Sequence, residues 1–388
     1  MIGIDRRVPD ESTVRKLARR LGPEVVCEIT RMVIETAQRE TRFTARAARI
    51  DSTVVEADIR YPSDAMLALQ GARALVREGN RLADLVKSTV RVRDRSRSIG
   101  TTVRAISRTL GRRTGEAKEQ VMALNEQAGR LIARSVQEAT RLATAARAAA
   151  RGRGAQAKLR AARKLKELAD RCGRVAWQID RRARNLKISD RLVSISDPDA
   201  RPIRKGKLGK PTEFGYVAQI CEVTASTRPG ARGFILPVAH LPGNPAENRL
   251  LPQTADELAR TGTQPREIVL DGGFMPGPTT QALPDLTDDK IQIAGRHEPG
   301  SRRTRKRRAR YRTGIEGRIS HLKRRYGLRR SRLKGDQGMQ IWTGWAILAY
   351  DLDTLAIRTT ETLPPVRLHG QTIMSLTRPR PPRTRPFQ

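Results

Sequence analysis

A chain of 388 residues with 77 Lys+Arg against 40 Asp+Glu carries a formal net charge of +37 at pH 7, a balance that points to a polyanion as partner. With 38% hydrophobic residues it has apolar material for at least one buried core, and its length admits two domains. No apolar run approaches the roughly 20 residues needed to cross a bilayer, and the start MIGIDRRVPDES lacks the apolar core of a signal peptide. A chain that neither spans a membrane nor is secreted is therefore expected, with nucleic acid favoured over lipid as the polyanion. Cys27, Cys172 and Cys221 lie far apart with no CxxC spacing, which argues against structural zinc and a disulfide framework and predicts reduced, buried thiols in a cytoplasmic protein.

Residues 11–42 place Val14, Leu17, Leu21, Val25, Val26, Ile29 and Val33 at mostly three- and four-residue intervals broken at Gly22-Pro23, which predicts two short helices. In RAARIDSTVVEADI (46–59) the β-branched Ile50, Val54, Val55 and Ile59 predict a strand with Asp51 near its middle. From about 62 to 190 the composition turns to Ala, Arg, Leu, Lys, Glu and Gln, with candidate breaks at Gly100, Gly111, Gly152 and Gly154. That is a long helical region of several helices or a hairpin. Leu131, Ile132, Val136, Ala139, Leu142 and Ala145 drift from a strict heptad, so a regular coiled coil is not expected. A structural arm with a solvated basic face is favoured over direct base reading.

From 191 the pattern alternates: LVSIS (192–196), EFGYVAQICEVT (213–224) and GFILPVAHL (233–241) are three candidate strands between Pro/Gly turns. A helix over about 246–261, a strand at 266–274, a short helix over about 278–285 and a strand at 290–295 follow. The result is an α/β domain whose first strand lies far upstream, around Asp51. A basic helix over about 301–325 precedes an apolar one over about 338–357, interrupted by Asp351 and Asp353 and so a core helix. The Pro/Arg-rich tail after 363 is expected to be disordered and to add non-specific phosphate contacts.

Three acids require explanation. Asp51 sits on a strand, where aspartate is depleted and a buried one needs a partner. Asp271 follows the apolar run IVL and precedes Gly272-Gly273, so it either projects from a strand end that a substrate can approach or forms a turn. Glu316 is the single acid among sixteen Lys/Arg between Ser301 and Lys334, either a salt-bridge partner or a metal ligand kept ionised by its neighbours. Three carboxylates from two strands and a helix can hold a pair of hard divalent cations, about 3.5–4 Å apart, for phosphodiester displacement.

The segments DSTVVEADIRYPSDA (51–65), KGKLGKPTEFGY (205–216), GNPAEN (243–248), VLDGGF (269–274) and RTGIEGRISHLKRRYGLRRSRLKG (312–335), with VPDESTVRKL near the start, occur in an order that resembles the DDE transposases of bacterial insertion sequences, over roughly residues 8–358. The resemblance implies an RNase H-like catalytic core with a large insertion and an Asp-Asp-Glu site at Asp51, Asp271 and Glu316 binding two Mg²⁺ ions, replaceable by Mn²⁺. In the family the Glu lies in a Tyr-Arg-Glu-Lys signature. Arg312, Glu316 and Lys323 fit its spacing, whereas Ala309 holds the Tyr position and Tyr311 is displaced by two. Positions 312, 316, 319 and 323 share one helix face. Arg312 and Lys323, with Arg307, Arg308, Arg318, Arg324, Arg325 and the run from Arg302 to Arg310, would hold DNA phosphates. The family's N-terminal helical domain is short here, so either the start is truncated or end binding has moved to the insertion.

The expected architecture is thus α/β: an RNase H-like mixed sheet with flanking helices, interrupted by a long helical insertion after the first strand. Its pieces are an N-terminal helical segment (1–45), the first part of the catalytic domain (46–61), a basic helical insertion (62–190), the second part (191–360) and a disordered basic tail (361–388). The implied activity is Mg²⁺-dependent cutting of transposon-end DNA and joining of the freed 3′-hydroxyl to target DNA. A dimer or larger complex on double-stranded DNA in the cytoplasm, associated with the nucleoid, goes with it. The rivals are a non-catalytic basic nucleic-acid-binding protein and a decayed, inactive copy.

Other candidates are weaker. His240, His297, His321 and His369 show no paired metal spacing, and Asp58 and Asp64 read as turn or capping residues. Gly152 and Gly154 break helices, and Trp342 and Trp345, at i and i+3, read as core. Binding to duplex DNA should weaken with salt, log K falling by about 0.9 per phosphate contact per log unit. Titrations at several salt concentrations check this, and a flat response would refute polyanion binding.

Overall fold

The computed structural model describes residues 10–362 apart from 113 and 205–211, together with two short paired strands in the tail, β8 (Arg367–Leu368) and β9 (Gln371–Thr372). The first nine residues, the 205–211 part of KGKLGKPTEFGY and most of the tail predicted to be disordered lie outside the described residues. The remaining strands, β1 (Ala47–Ala57), β2 (Arg201–Arg204), β3 (Thr212–Thr224), β4 (Phe234–Ile235), β5 (Glu267–Leu270), β6 (Ile291–Ile293) and β7 (Arg330–Ser331), form a seven-stranded mixed sheet in the order β2-β3-β1-β5-β6. β4 adds to β3 and β7 to β1.

β1 is the spine of this sheet. It runs antiparallel to β3 from Ala47↔Thr224 to Glu56↔Gly215 and parallel to β5 from Ala47↔Glu267 to Ile50↔Leu270. Beyond the end of β5 it pairs with β7 through Glu56↔Arg330 and Ala57↔Ser331. Strand side chains alternate between faces, so Ala48 and Ile50 enter one core while Arg49, Asp51 and Val55 face the other way. On the first face lie α1 (Glu11–Glu40), through Val26, Val33, Ile34 and Ala37, and α6 (Leu251–Arg260), through Leu251 and Leu258. On the second lie α8 (Arg302–Arg325), through Ile315, Ile319 and Leu322, and α9 (Gly335–Thr362), through Met339, Ile347 and Tyr350.

α1 is two helices in effect, as the sequence predicts. Gly22 breaks it at φ 78°, ψ 174°, a conformation open to glycine, and Pro23 starts the second half, where its missing N–H costs nothing. Asp10 caps the first half by accepting from Thr13 N at 2.9 Å.

Between β1 and β2 the chain forms α2 (Asp64–Val86), α3 (Ser96–Thr109), α4 (Gly115–Ala148) and α5 (Ala155–Ala183). Leu75, Leu82, Ile99, Ile132, Leu165 and Val175 are fully buried among them, so this helical bundle has a core of its own. Two predicted breaks occur as expected, at Gly111 and at Gly152–Gly154 between α4 and α5, but Gly100 lies inside α3. α7 (Pro276–Ala282) completes the helices between β5 and β6. No helix among the described residues is long and apolar enough to cross a membrane.

Two strand expectations need correction. Residues 192–196 form no strand. They run along the seam between the two cores, with Leu192 and Ile195 buried in the bundle and Val193 buried beside the sheet. Leu192 satisfies its backbone with the Gln178 side chain, donating N–H to Oε1 at 2.5 Å and accepting from Nε2 at 3.2 Å. The 233–241 stretch is reduced to β4 and one bridge, Gln219↔Ala239, with Pro237 between them lacking a donor. β2 and β7 were not anticipated, being short and rich in arginine.

The bundle's separate core predicts a separate response to damage. Ile132→Ala should destabilise the bundle by about 3 kcal/mol. Urea unfolding followed by Trp177, on α5, should show the shift, while the transition reported by Trp342 and Trp345 on α9 stays in place.

Candidate active site

Asp51 and Asp271 follow directly on the last paired residues of β1 and β5, Ile50↔Leu270. They therefore stand side by side at the sheet's centre, on strands about 4.8 Å apart. Both share the parity of Arg49 and Val269, which places them on the α8 face. The Asp51 carboxylate accepts from Ser52 N at 2.7 Å. Asp271 is 46% exposed and Glu316, on the outer surface of α8, 61%.

Arg312 joins the strand and the helix. Its Nη1 donates to Asp271 Oδ1 and to Glu316 Oε1, at 3.3 Å each. Two carboxylates from separate elements thus share one cationic nitrogen, with Asp51 one strand over. Oxygen donors of this kind suit a hard divalent cation, and the guanidinium shows that positive charge is accommodated between them. Among the described residues no three His, Cys, Asp or Glu side chains close on a single point.

Beneath this surface lies a cluster that sequence reasoning missed. Glu222 on β3 is fully buried and Arg49 on β1 is 2% exposed. Arg49 Nη2 and Nε donate to Glu222 Oε2 at 2.6 and 2.8 Å, and Arg49 Nη1 donates to Tyr311 O at 3.0 Å. The other carboxylate oxygen, Oε1, accepts from Arg318 Nε at 2.9 Å and Gly233 N at 3.1 Å. Arg49 also stacks on the Tyr311 ring at 4.8 Å and Arg318 on Tyr350 at 4.9 Å. Gly314 makes room for this contact, since a Cβ at that position would lie 1.8 Å from Arg49 Nη1 and push the guanidinium aside. Nearby, burial pushes the Asp351 carboxyl well above the usual carboxylate range, against a 2.9 Å hydrogen bond from Ile235 N. The readable signal was a charge at buried strand positions, Arg49 two residues before Asp51 and Glu222 inside QICEVT.

The predicted phosphate-binding cations divide into two groups. Arg324 and Arg325 are exposed, as are Arg302, Arg303, Arg305, Lys306 and Arg310, while Lys323 is half-buried. Arg318 is a correction: it is 13% exposed and bound to Glu222, inside the fold. Arg308 is another, 5% exposed and bonded to Glu267 at 2.9 Å. Arg307 keeps an exposed side but also grips Glu267, at 2.7 and 2.8 Å, and reaches Thr227 Oγ1.

Several weaker expectations are also placed. Asp64 is no cap, because Ser63 caps α2. It is a buried carboxylate paired with Arg182 at 3.0 Å and Arg191 at 2.9 Å. Asp58 lies 3.8 Å from Arg330. His240 places Nδ1 2.9 Å from Val217 O and Nε2 3.0 Å from Asp336 Oδ1. His297 Nε2 lies 2.9 Å from Asp288 O. His321 stands edge-on to Tyr326 and Tyr350 with its pKa lowered by burial and by Arg318. His369 lies outside the described residues. Trp342 donates to Gly327 O at 2.9 Å, and Trp345 is a correction, since it is exposed and not part of the core. All three cysteines are free, but Cys27 is only half-buried.

In comparison with known families, residues 223–352 match the transposase DDE domain. The match begins at the end of β3, runs into α9 and takes in Asp271, Arg312 and Glu316, whereas Asp51 lies upstream of it. No curated protein and no solved structure matched the chain. Within the matched stretch, Glu267 anchors the start of α8. Burial raises its pKa, but the bonds from Arg307 and Arg308 outweigh this and hold it below its ordinary 4.5. A folded-state pKa lowered in this way means the unfolded chain takes up protons first, so the stabilisation is present above about pH 4.5 and is lost as pH falls through the folded value. Glu267→Gln should therefore cost about 2 kcal/mol at pH 7, with the difference from wild type shrinking below pH 4.5 in urea titrations.

Proposed function

We propose that this chain, which carries a transposase DDE domain over residues 223–352, is an insertion-sequence transposase. It would cut transposon-end DNA and join the freed 3′-hydroxyl to target DNA. The observation that carries the reading is the sharing of Arg312 Nη1 by Asp271 and Glu316 beside Asp51, three carboxylates on two adjacent strands and the helix above them. A nucleic-acid-binding module has no use for aspartates on two adjacent strands beside a glutamate on the basic helix above them.

In this reading Asp51, Asp271 and Glu316 would hold Mg²⁺, or Mn²⁺ in its place. A bound pair of such ions activates the attacking oxygen and stabilises the leaving one. The remaining steps belong to side chains. Arg312 balances Asp271 and Glu316 and would contact a phosphate flanking the cut. Arg324, Arg325 and the exposed cations between Arg302 and Arg310 hold the strand by its phosphates. The half-buried Lys323, seven residues beyond Glu316 on the same helix, adds a further phosphate contact.

The order β3-β1-β5-β6, with β3 antiparallel and β5 and β6 parallel, supports an RNase H-like catalytic core in two sequence pieces. α2 to α5 would then be the insertion between them. Joining two transposon ends takes two active sites, so a homodimer or larger assembly on DNA belongs to the same proposal.

Asp51→Asn, Asp271→Asn and Glu316→Gln should each lower Mg²⁺-dependent nicking of a transposon-end duplex by about a hundredfold or more, the loss of several kcal/mol of charge stabilisation. Binding of the same duplex should persist. Nicking at the wild-type rate in any of the three, or a wild-type chain that binds the duplex and never cuts it, overturns the assignment.

A further inference from the structure

We infer, on the reading that Glu316 is a metal-holding carboxylate, that Arg49 and Glu222 are positioning residues. The buried cluster they make with Arg318 clamps α8 to β1 and sets where Glu316 stands relative to Asp51 and Asp271. Arg49 precedes Asp51 by two residues on the same strand face, so both move with one rigid element. It grips α8 at Tyr311 O, 3.0 Å away, and fills the space over Gly314, where a Cβ would be 1.8 Å from its Nη1. Glu222 grips the same helix at Arg318, two residues beyond Glu316. The helix is thus held on both sides of the segment from Arg312 to Glu316.

The apolar contacts of Ile315, Ile319 and Leu322 also press α8 onto the sheet, but such contacts have no directional preference. Guanidinium–carboxylate forks do, in both distance and plane. The Tyr311 hydroxyl adds a second directional tie, 2.6 Å from Thr224 Oγ1 on β3. Glu267 fixes the start of α8 through Arg307 and Arg308, and the charged cluster sets the register of the turns on either side of Glu316, which its carboxylate inherits.

The test uses the full chain and Mn²⁺ binding followed by electron paramagnetic resonance. Gly314→Ala keeps every charge and favours the helix, while Arg49→Lys keeps the charge and removes the fork. Each should weaken Mn²⁺ binding by about ten- to a hundredfold, as loss of groups that orient metal ligands does. Thermal melting should show a cooperative fold and duplex binding should be unchanged. In a Glu316→Gln background neither substitution should weaken Mn²⁺ binding further, because the placement of an absent carboxylate cannot matter. Glu222→Gln should behave as Arg49→Lys does, and if it fails to fold the other two variants still decide.

Wild-type Mn²⁺ affinity in folded Gly314→Ala and Arg49→Lys, or an equal loss in the Glu316→Gln background, overturns the positioning role while leaving the catalytic reading intact. Unchanged Mn²⁺ binding in Glu316→Gln alone overturns the catalytic reading itself, and the positioning role with it.

Discussion

Glu222 is a carboxylate with no exposed surface that faces two guanidinium groups. Removing a carboxylate and an arginine from water costs several kcal/mol per ion, and their attraction offsets this only when the geometry is good and the remaining polar atoms are satisfied. Both oxygens are satisfied here, one by the fork of Arg49 and the other by Arg318 and Gly233 N. Such a cluster adds little net stability over an apolar filling, but it discriminates strongly between arrangements. A one-residue slip of β1 against β3 would turn Arg49 to the opposite face, among Ile34, Phe43 and Leu348, with no anion in reach. The register that brings Asp51 level with Asp271 is enforced by the penalty for misplacing Arg49.

The same economy of acids runs through the molecule. With 40 acids for 77 basic residues, buried or half-buried carboxylates tend to serve two arginines: Asp64 takes Arg182 and Arg191, Glu222 takes Arg49 and Arg318, and Glu267 takes Arg307 and Arg308. Each of these carboxylates ties together segments that are distant in sequence. Many of the cations left outside lie along α8 and over the bundle, with others on α1. A folded protein with this distribution keeps a strongly positive surface, which raises the local concentration of a polyanion and orients its approach.

Much of this was legible in the sequence because it rests on local signals. The β-branched run around Asp51, the Gly-Pro break in α1 and the basic helix from about residue 301 all lie where periodicity and turn chemistry place them. The juxtaposition of Asp51 with Asp271 was not readable from spacing, since 220 residues separate them; only the resemblance to a family pointed to it. Residues 192–196 misled because alternation marks a segment with two different sides, and a seam between two cores produces it as readily as a sheet does. Arg308 and Arg318 misled for a related reason. In a helix with sixteen cations in its neighbourhood, composition does not tell which ones turn inward, and only the acids on β3 and β5 decide that. Glu222 and Glu267 were read as ordinary strand residues, so their partners stayed hidden.

The helical bundle is bound to the same spine. Only a few residues separate the end of β1 at Ala57 from the start of α2 at Asp64, and Asp64 is fastened at once to Arg182 at the end of α5 and to Arg191 beyond it. The returning chain then threads Leu192 and Ile195 into the bundle and Val193 against the sheet side. The first crossing is therefore short, the second is buried from Leu192 to Ile195, and both are tied to the ion-paired Asp64. A flexible tether would let the bundle's basic surface wander relative to Asp51. This seam instead makes the direction of β1 the common reference for both the carboxylates and the bundle, so a duplex held by the bundle would meet the sheet at an angle set by the fold.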